Sequence, residues 1–163
     1  MRVEASKIVS DLKLKPGVKV LLFGEVEPKI LVSVAEAAGG FENLLLLHRD
    51  AKPPQGARGF IEKGMKAQRS SLIEHNDFLP SSSFEAVLAQ NVINKLLGRR
   101  EFLGESYRLL KPGGRLAIIQ RLWPLTDLRK KEFDNLINGA RSFSKVESRI
   151  GLFSTYVVLE RPT

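Results

Sequence analysis

The chain has 163 residues, no cysteine, and 26 Lys plus Arg against 18 Asp plus Glu, for a net charge of +8. The length predicts one domain over residues 1–163 with a substantial core, and the missing thiols exclude a disulfide framework, a thiolate nucleophile and a thiolate metal site. No apolar run approaches the ~20 residues of a membrane span, the N-terminus has no signal-peptide core, and the basic residues are spread from Arg2 to Arg161 rather than blocked as in a nucleic-acid footprint.

Ala5, Ile8, Val9 and Leu12 share one helical face and predict an opening helix over residues 3–12, broken by Pro16-Gly17. Val18 to Phe23 is a β-branched and apolar run of strand character. Ile30, Leu31, Val34, Ala35 and Ala38 then recur at helical spacing, between Pro28 at the start and Gly39-Gly40 at the end. Leu44 to Leu47 reads as a second buried strand, and residues 48–60, rich in Pro and Gly, as loop. A weak helical pattern covers Ile61 to Gln68. Ser71 to His75 is expected as a short third strand and Phe84 to Ala89 as a fourth.

From Phe102 onward the pattern is more specific. A helix over about Arg99 to Leu110 must stop before Pro112, which lacks an N–H and disfavours helix at Lys111. Gly113 and Gly114 predict a sharp turn, and Arg115 to Gln120 is a fifth strand with the continuous apolar character of a doubly covered parallel sheet. Phe133, Leu136, Ile137 and Ala140 mark a last helix. Val146 to Ile150 and Ser154 to Glu160 alternate with period two around Gly151, the signature of a closing hairpin. Alternating strands and helices predict a three-layer α/β domain, whose ligands sit beyond the carboxyl ends of the strands where strand order reverses.

The run FLGESYRLLKPGGRLAII, residues 102–119, resembles the helix-turn-strand of class I S-adenosylmethionine-dependent methyltransferases. Leu14-Lys15-Pro16-Gly17 ahead of strand one is similar to a common lead-in of that family. Asn76-Asp77-Phe78-Leu79-Pro80 followed by Ser83-Phe84-Glu85 resembles its "G-D-A-x-x-L-P…S-F-D" segment. The resemblance implies a Rossmann-like, mostly parallel seven-stranded sheet with a C-terminal antiparallel hairpin and one antiparallel edge strand. It also implies S-adenosylmethionine as cofactor. Asp77 would then face the adenine with Phe78 beside it, and Gln90 would enter the cleft after strand four.

The cofactor loop departs from the family pattern "V-L-D-x-G-x-G-x-G". Gly24 matches the first glycine, but Leu22 replaces the acidic residue, and Val26 and Pro28 replace the later glycines. Glycines there let the backbone approach the cofactor, whereas Val26 adds methyl groups and Glu25 and Glu27 add carboxylates beside a helix N-terminus. At the end of strand two, His48 stands where the family carries a carboxylate for the ribose hydroxyls. Gly24, Glu25, Val26, His48, Asp77, Phe78 and Gln90 are therefore the expected cofactor residues.

Gln90, Asn91, Gln120 and Arg121 are the polar groups expected in the cleft. None is a good base near neutral pH, so no catalytic residue is assigned, and the two histidines offer no metal-ligand spacing. Two functions follow from the resemblance. One is a methyltransferase-like protein with an open cleft. The other is a scaffold on the same fold that has lost the cofactor and binds a protein partner or a second copy of itself. A cytoplasmic location is expected, with neither nucleic acid nor membrane as partner.

Overall fold

Residues 2–163 are described by the computed structural model. Its apolar runs assemble as the strands β1 (Val20–Gly24), β2 (Leu44–His48), β4 (Phe84–Gln90) and β5 (Leu110–Arg121), joined by β3 (Lys66–Arg69), β6 (Ser144–Ile150) and β7 (Ser154–Glu160). They form one seven-stranded sheet in the order β3-β2-β1-β4-β5-β7-β6. β1 to β5 run parallel, and β7 is antiparallel to both β5 and β6.

Successive side chains of a strand face opposite sides, so each strand feeds two cores. Leu21, Phe23, Val87, Ile118 and Val157 pack on one side against Phe102 and Leu103 of α4 (Arg99–Leu109) and Phe133 and Ile137 of α5 (Lys130–Gly139). Val20, Leu22, Leu46, Leu88 and Tyr156 pack on the other side. There they meet Ile8 of α1 (Ala5–Asp11) and Ile30, Leu31, Val34 and Ala38 of α2 (Pro28–Ala38). Tyr156 is fully buried, and its hydroxyl donates to an Asp11 carboxylate oxygen at 2.7 Å, tying β7 to α1. Burial and that neighbouring charge push its phenol well above its ordinary value. The three-layer α/β domain and its closing hairpin are as the sequence indicates.

Four local expectations are corrected. The third strand is Lys66–Arg69, beside β2, while Ser71–His75 is irregular, and the helix expected over residues 61–68 is the earlier α3 (Arg58–Glu62). The antiparallel strand is not at the edge: β7 lies inside, and β6 is the outer strand. Finally, residues 111–114 do not reverse the chain. They are part of β5, bulged where the pairing slips between Phe84 and Ala86.

Chemistry accounts for the bulge. Gly113 takes φ +82° and donates its N–H to the Arg161 carbonyl, and the Arg161 N–H returns to the Gly114 carbonyl. A Cβ on Gly114 would lie 2.8 Å from the Lys111 carbonyl oxygen and 2.9 Å from that of Glu85. Glycine is needed there for close approach rather than for a turn. Because β5 starts here, the bulge sits at the opposite end of the sheet from the strands' carboxyl ends.

Candidate functional site

β1 lies between β2 and β4, so the chain leaves its carboxyl end toward α2 while β4 exits the other way. Such a reversal opens a crevice above the sheet. Gly24 begins the loop at φ +84°, with its Cα against the Gln90 carbonyl, and any Cβ would overlap that oxygen. The Glu25 N–H then donates to the same carbonyl at 3.2 Å. This stitch fixes the loop over the end of β4.

On one side of the stitch is a cavity of about 380 Å³, lined by Gly24, Glu25, His48, Arg49, Arg69 and Lys95 among others. A Glu25 carboxylate oxygen meets the Lys95 ammonium at 3.3 Å across its mouth. His48 Nδ1 lies 2.9 Å from the Asp50 carbonyl oxygen. A carbonyl can only accept, so Nδ1 is the donor in this contact.

On the other side is a second cavity, of about 290 Å³, which contains Gln90, Asn91, Gln120 and Arg121 together with Ile119, Leu125, Leu152 and Phe153. The four polar residues expected in the cleft are thus brought to one place. Gln120 is fully buried, its Oε1 accepting from the Ile93 N–H and its Nε2 donating to Asn94 Oδ1. Asn91 sits at φ +53°, and its Oδ1 accepts from the Arg121 N–H. Asn is the non-glycine residue that tolerates this left-handed conformation best.

Gln90 lines the second cavity, and its carbonyl touches Gly24 and Glu25, which line the first. Gln90 is 3% exposed, its Oε1 accepts from the Glu27 N–H at 3.0 Å, and its Nε2 faces Glu27 Oε1 at 3.4 Å. Pro28 follows as the first residue of α2, so the amide before it is already satisfied. Val26 does not line the first cavity but a neighbouring one on the same loop, with Glu27 and Pro28. It is 7% exposed and packs with Ile30 and Leu31 in the core. The positive φ of Gly24 turns the loop so that Glu25, not Val26, faces the larger cavity.

Asp77 and Phe78 line neither cavity. Both are exposed, on a segment pinned to α4 instead. Arg108 donates to the Asn76 and Leu79 carbonyls, while Glu105 pairs with Arg108 at 2.6 Å and accepts the Asn76 N–H. Burial alone would raise the Glu105 carboxyl, but Arg108 and the Asn76 amide outweigh it and hold the group below its ordinary 4.5. On acidification the unfolded chain therefore binds this proton first. The stability from Glu105 is full above 4.5 and is lost as the pH falls through the lowered value. Thermal melts between about pH 5 and pH 3 should fall more steeply for the wild type than for Glu105→Gln. Parallel slopes would remove the clamp's electrostatic role.

Arg49, Arg69 and Lys95 around the larger cavity were not singled out by sequence reasoning. Arg69 ends the strand that was placed elsewhere, and Lys95 lies in a short turn after β4. The one available signal was the Arg49 next to His48. Among the described residues no cluster of His, Asp or Glu is placed to hold a metal, and no helix is long and apolar enough to cross a membrane.

Comparisons with known proteins agree with this fold. The profile of the methyltransferase domain family matches residues 52–118. No curated protein sequence matches the chain. Among solved structures, a SAM-dependent methyltransferase from Aquifex aeolicus superposes with a TM-score of 0.76 at 18% identity, over 97% of this chain and 89% of that one. A chain from the complex between the Haloferax volcanii Trm112 methyltransferase activator and its methyltransferase candidate gives 0.76 at 13%, over 98% and 88%. The Burkholderia thailandensis 1,6-didemethyltoxoflavin-N1-methyltransferase, solved with 1,6-didemethyltoxoflavin and S-adenosylhomocysteine, gives 0.70 at 15%, over 98% and 76%. The chain thus has the fold of S-adenosylmethionine-dependent methyltransferases, and its central segment, residues 52–118, matches the methyltransferase domain family.

Proposed function

We propose that the domain binds S-adenosylmethionine in the cavity beside Gly24 and His48, and that a methyl acceptor enters the cavity beside Asn91, Gln120 and Arg121. One observation carries this reading: two cavities flank the backbone stitch between Gly24, Glu25 and Gln90, above the point where strand order reverses. A transferase needs a donor side and an acceptor side in contact, and approximation of the two reactants does most of the work of a methyl transfer.

The larger cavity fits a nucleoside cofactor in size, since small-molecule sites begin at about 300 Å³ and this one is about 380 Å³. At the ribose position His48 offers at most one acceptor, Nε2, where a carboxylate would accept from both hydroxyls. Gly24 lets the backbone lie close to the ligand. The bound cofactor supplies an electrophilic methyl group. Gln90 positions the loop between the two sides, and the apolar Ile119, Leu125 and Phe153 would exclude water from the acceptor.

Calorimetric titration with S-adenosylmethionine and S-adenosylhomocysteine is expected to saturate at one ligand per chain. Heats of dilution alone, up to millimolar ligand, would overturn the proposal. The second reading is a scaffold that no longer takes the cofactor and docks a protein partner or another copy. It is favoured by the Glu25–Lys95 pair spanning the cavity mouth and by the missing carboxylate at the end of β2. It predicts that neither the wild type nor Glu25→Gln, which frees Lys95, binds the homocysteine product.

A further inference from the structure

The rim of the larger cavity is built from guanidinium groups that no carboxylate neutralises. His48 and Arg69 are register partners at the ends of the parallel strands β2 and β3, and Arg49 follows His48 directly. Arg49 Nη1 donates to the Lys95 carbonyl at 2.9 Å, and Arg69 Nε donates to the Arg49 carbonyl at 3.3 Å. No carboxylate lies within 4.0 Å of either guanidinium among the described residues, whereas Lys95 is already paired with Glu25. Asp50 is the remaining acid on the rim.

Carbonyl anchors hold a guanidinium in place without cancelling its charge. Each Arg has five N–H donors and commits one of them to the anchor. The rest of the fork is left for a planar or tetrahedral anion, the recognition at which arginine excels. A ribose diol has the opposite requirement, because its hydroxyl protons need an acceptor. In doubly wound folds an acidic group at the end of the second strand meets a free ribose hydroxyl, and an arginine nearby meets a phosphate on that hydroxyl. Here His48 ends the second strand, with Arg49 next to it and Arg69 at the end of the neighbouring strand.

Apolar walls complete the cavity, with Pro54, Ile73 and Val92 beside Gly24. They suit the faces of a base. The geometry points to a ligand beyond the proposed function: a nucleoside carrying a phosphomonoester on a secondary ribose hydroxyl, the phosphate held by Arg49 and Arg69 and the base between the apolar walls. The cavity is the one proposed for the cofactor, but the discriminating group is an anion that S-adenosylmethionine lacks.

The test is a set of titrations on the intact protein with adenosine, adenosine 2′-monophosphate, adenosine 3′-monophosphate, inorganic phosphate and S-adenosylhomocysteine at fixed salt. One of the two monophosphates should bind about tenfold or more tighter than adenosine, the gain of a charge-assisted bond. That gain should disappear in Arg49→Gln and Arg69→Gln and persist in Arg141→Gln, a charge removed from a distant groove. Unchanged melting temperatures would show that the variants still fold, as expected for exposed side chains. Equal affinity for adenosine and both monophosphates overturns the proposal, as does a gain that survives in both arginine variants. Inorganic phosphate binding as tightly as the nucleotides would also overturn it, because the base would then contribute nothing. Tight S-adenosylhomocysteine binding with no phosphate gain would uphold the cofactor reading alone, and the reverse result would uphold this one alone.

Discussion

Gly24→Ala is expected to destabilise the domain by about 3–5 kcal/mol and to abolish ligand binding in the larger cavity. An L residue at φ +84° costs about 1–2 kcal/mol in the left-handed region. The new methyl group also collides with the Gln90 backbone carbonyl, which is not the end of a flexible side chain and cannot swing aside. Relief requires the loop to separate from β4, with loss of the Glu25-to-Gln90 bond. Gly56→Ala is the matched control, since a Cβ there meets open space, and its effect should stay within about 0.5 kcal/mol. Urea unfolding of the two variants makes the comparison, and a Gly24→Ala loss below about 1 kcal/mol would contradict the account.

Phe102→Ala should cost a similar amount by a different route, about 3–5 kcal/mol for an aromatic ring removed from a closed core. Phe102 is fully buried in α4, and its ring meets that of Phe23 edge to face at 5.0 Å. Phe23 immediately precedes Gly24, so this ring pair forms the floor under the stitched loop. The variant should therefore lose ligand affinity as well as stability. Phe102→Leu, which fills most of the space, should recover more than half of the stability. If it recovers none, the ring-to-ring contact matters more than volume, and the cavity argument is wrong.

The apolar strands were legible because a strand buried on both faces has nothing but apolar residues to show: Val20 to Phe23, Leu44 to Leu47 and Leu116 to Ile119 could hardly be anything else. β3 was not legible for the converse reason. Lys-Ala-Gln-Arg at an exposed border has no apolar period, and its pairing to β2 is made entirely by the backbone. The apolar residues nearby, Leu72 and Ile73, drew the expected strand to a segment that Asn76 and Arg108 instead fold as a loop.

Gly24, Glu25, His48 and Gln90 fall at the two cavities because they sit at strand ends, where position along the sequence fixes position in space. Val26 lines a neighbouring cavity of the same loop, because a side chain's direction after a positive-φ residue cannot be counted off from a strand. Arg49 and Arg69 meet only through the register of β2 and β3, which no local pattern encodes.

The two outer strands have a consequence for the life of the chain at high concentration. β3 presents Lys66 and Arg69 along one margin of the sheet, and β6 presents Lys145, Glu147 and Arg149 along the other, with its pairing interrupted between Lys145 and Glu147. A free strand margin is a template on which a foreign strand can crystallise, and lysines and bulges are what frustrate that growth. A newly made or crowded copy thus meets a charged, irregular border at either side of the sheet. Fibre-like stacking is discouraged at both margins, although the interior strands between them are among the most aggregation-prone kinds of sequence.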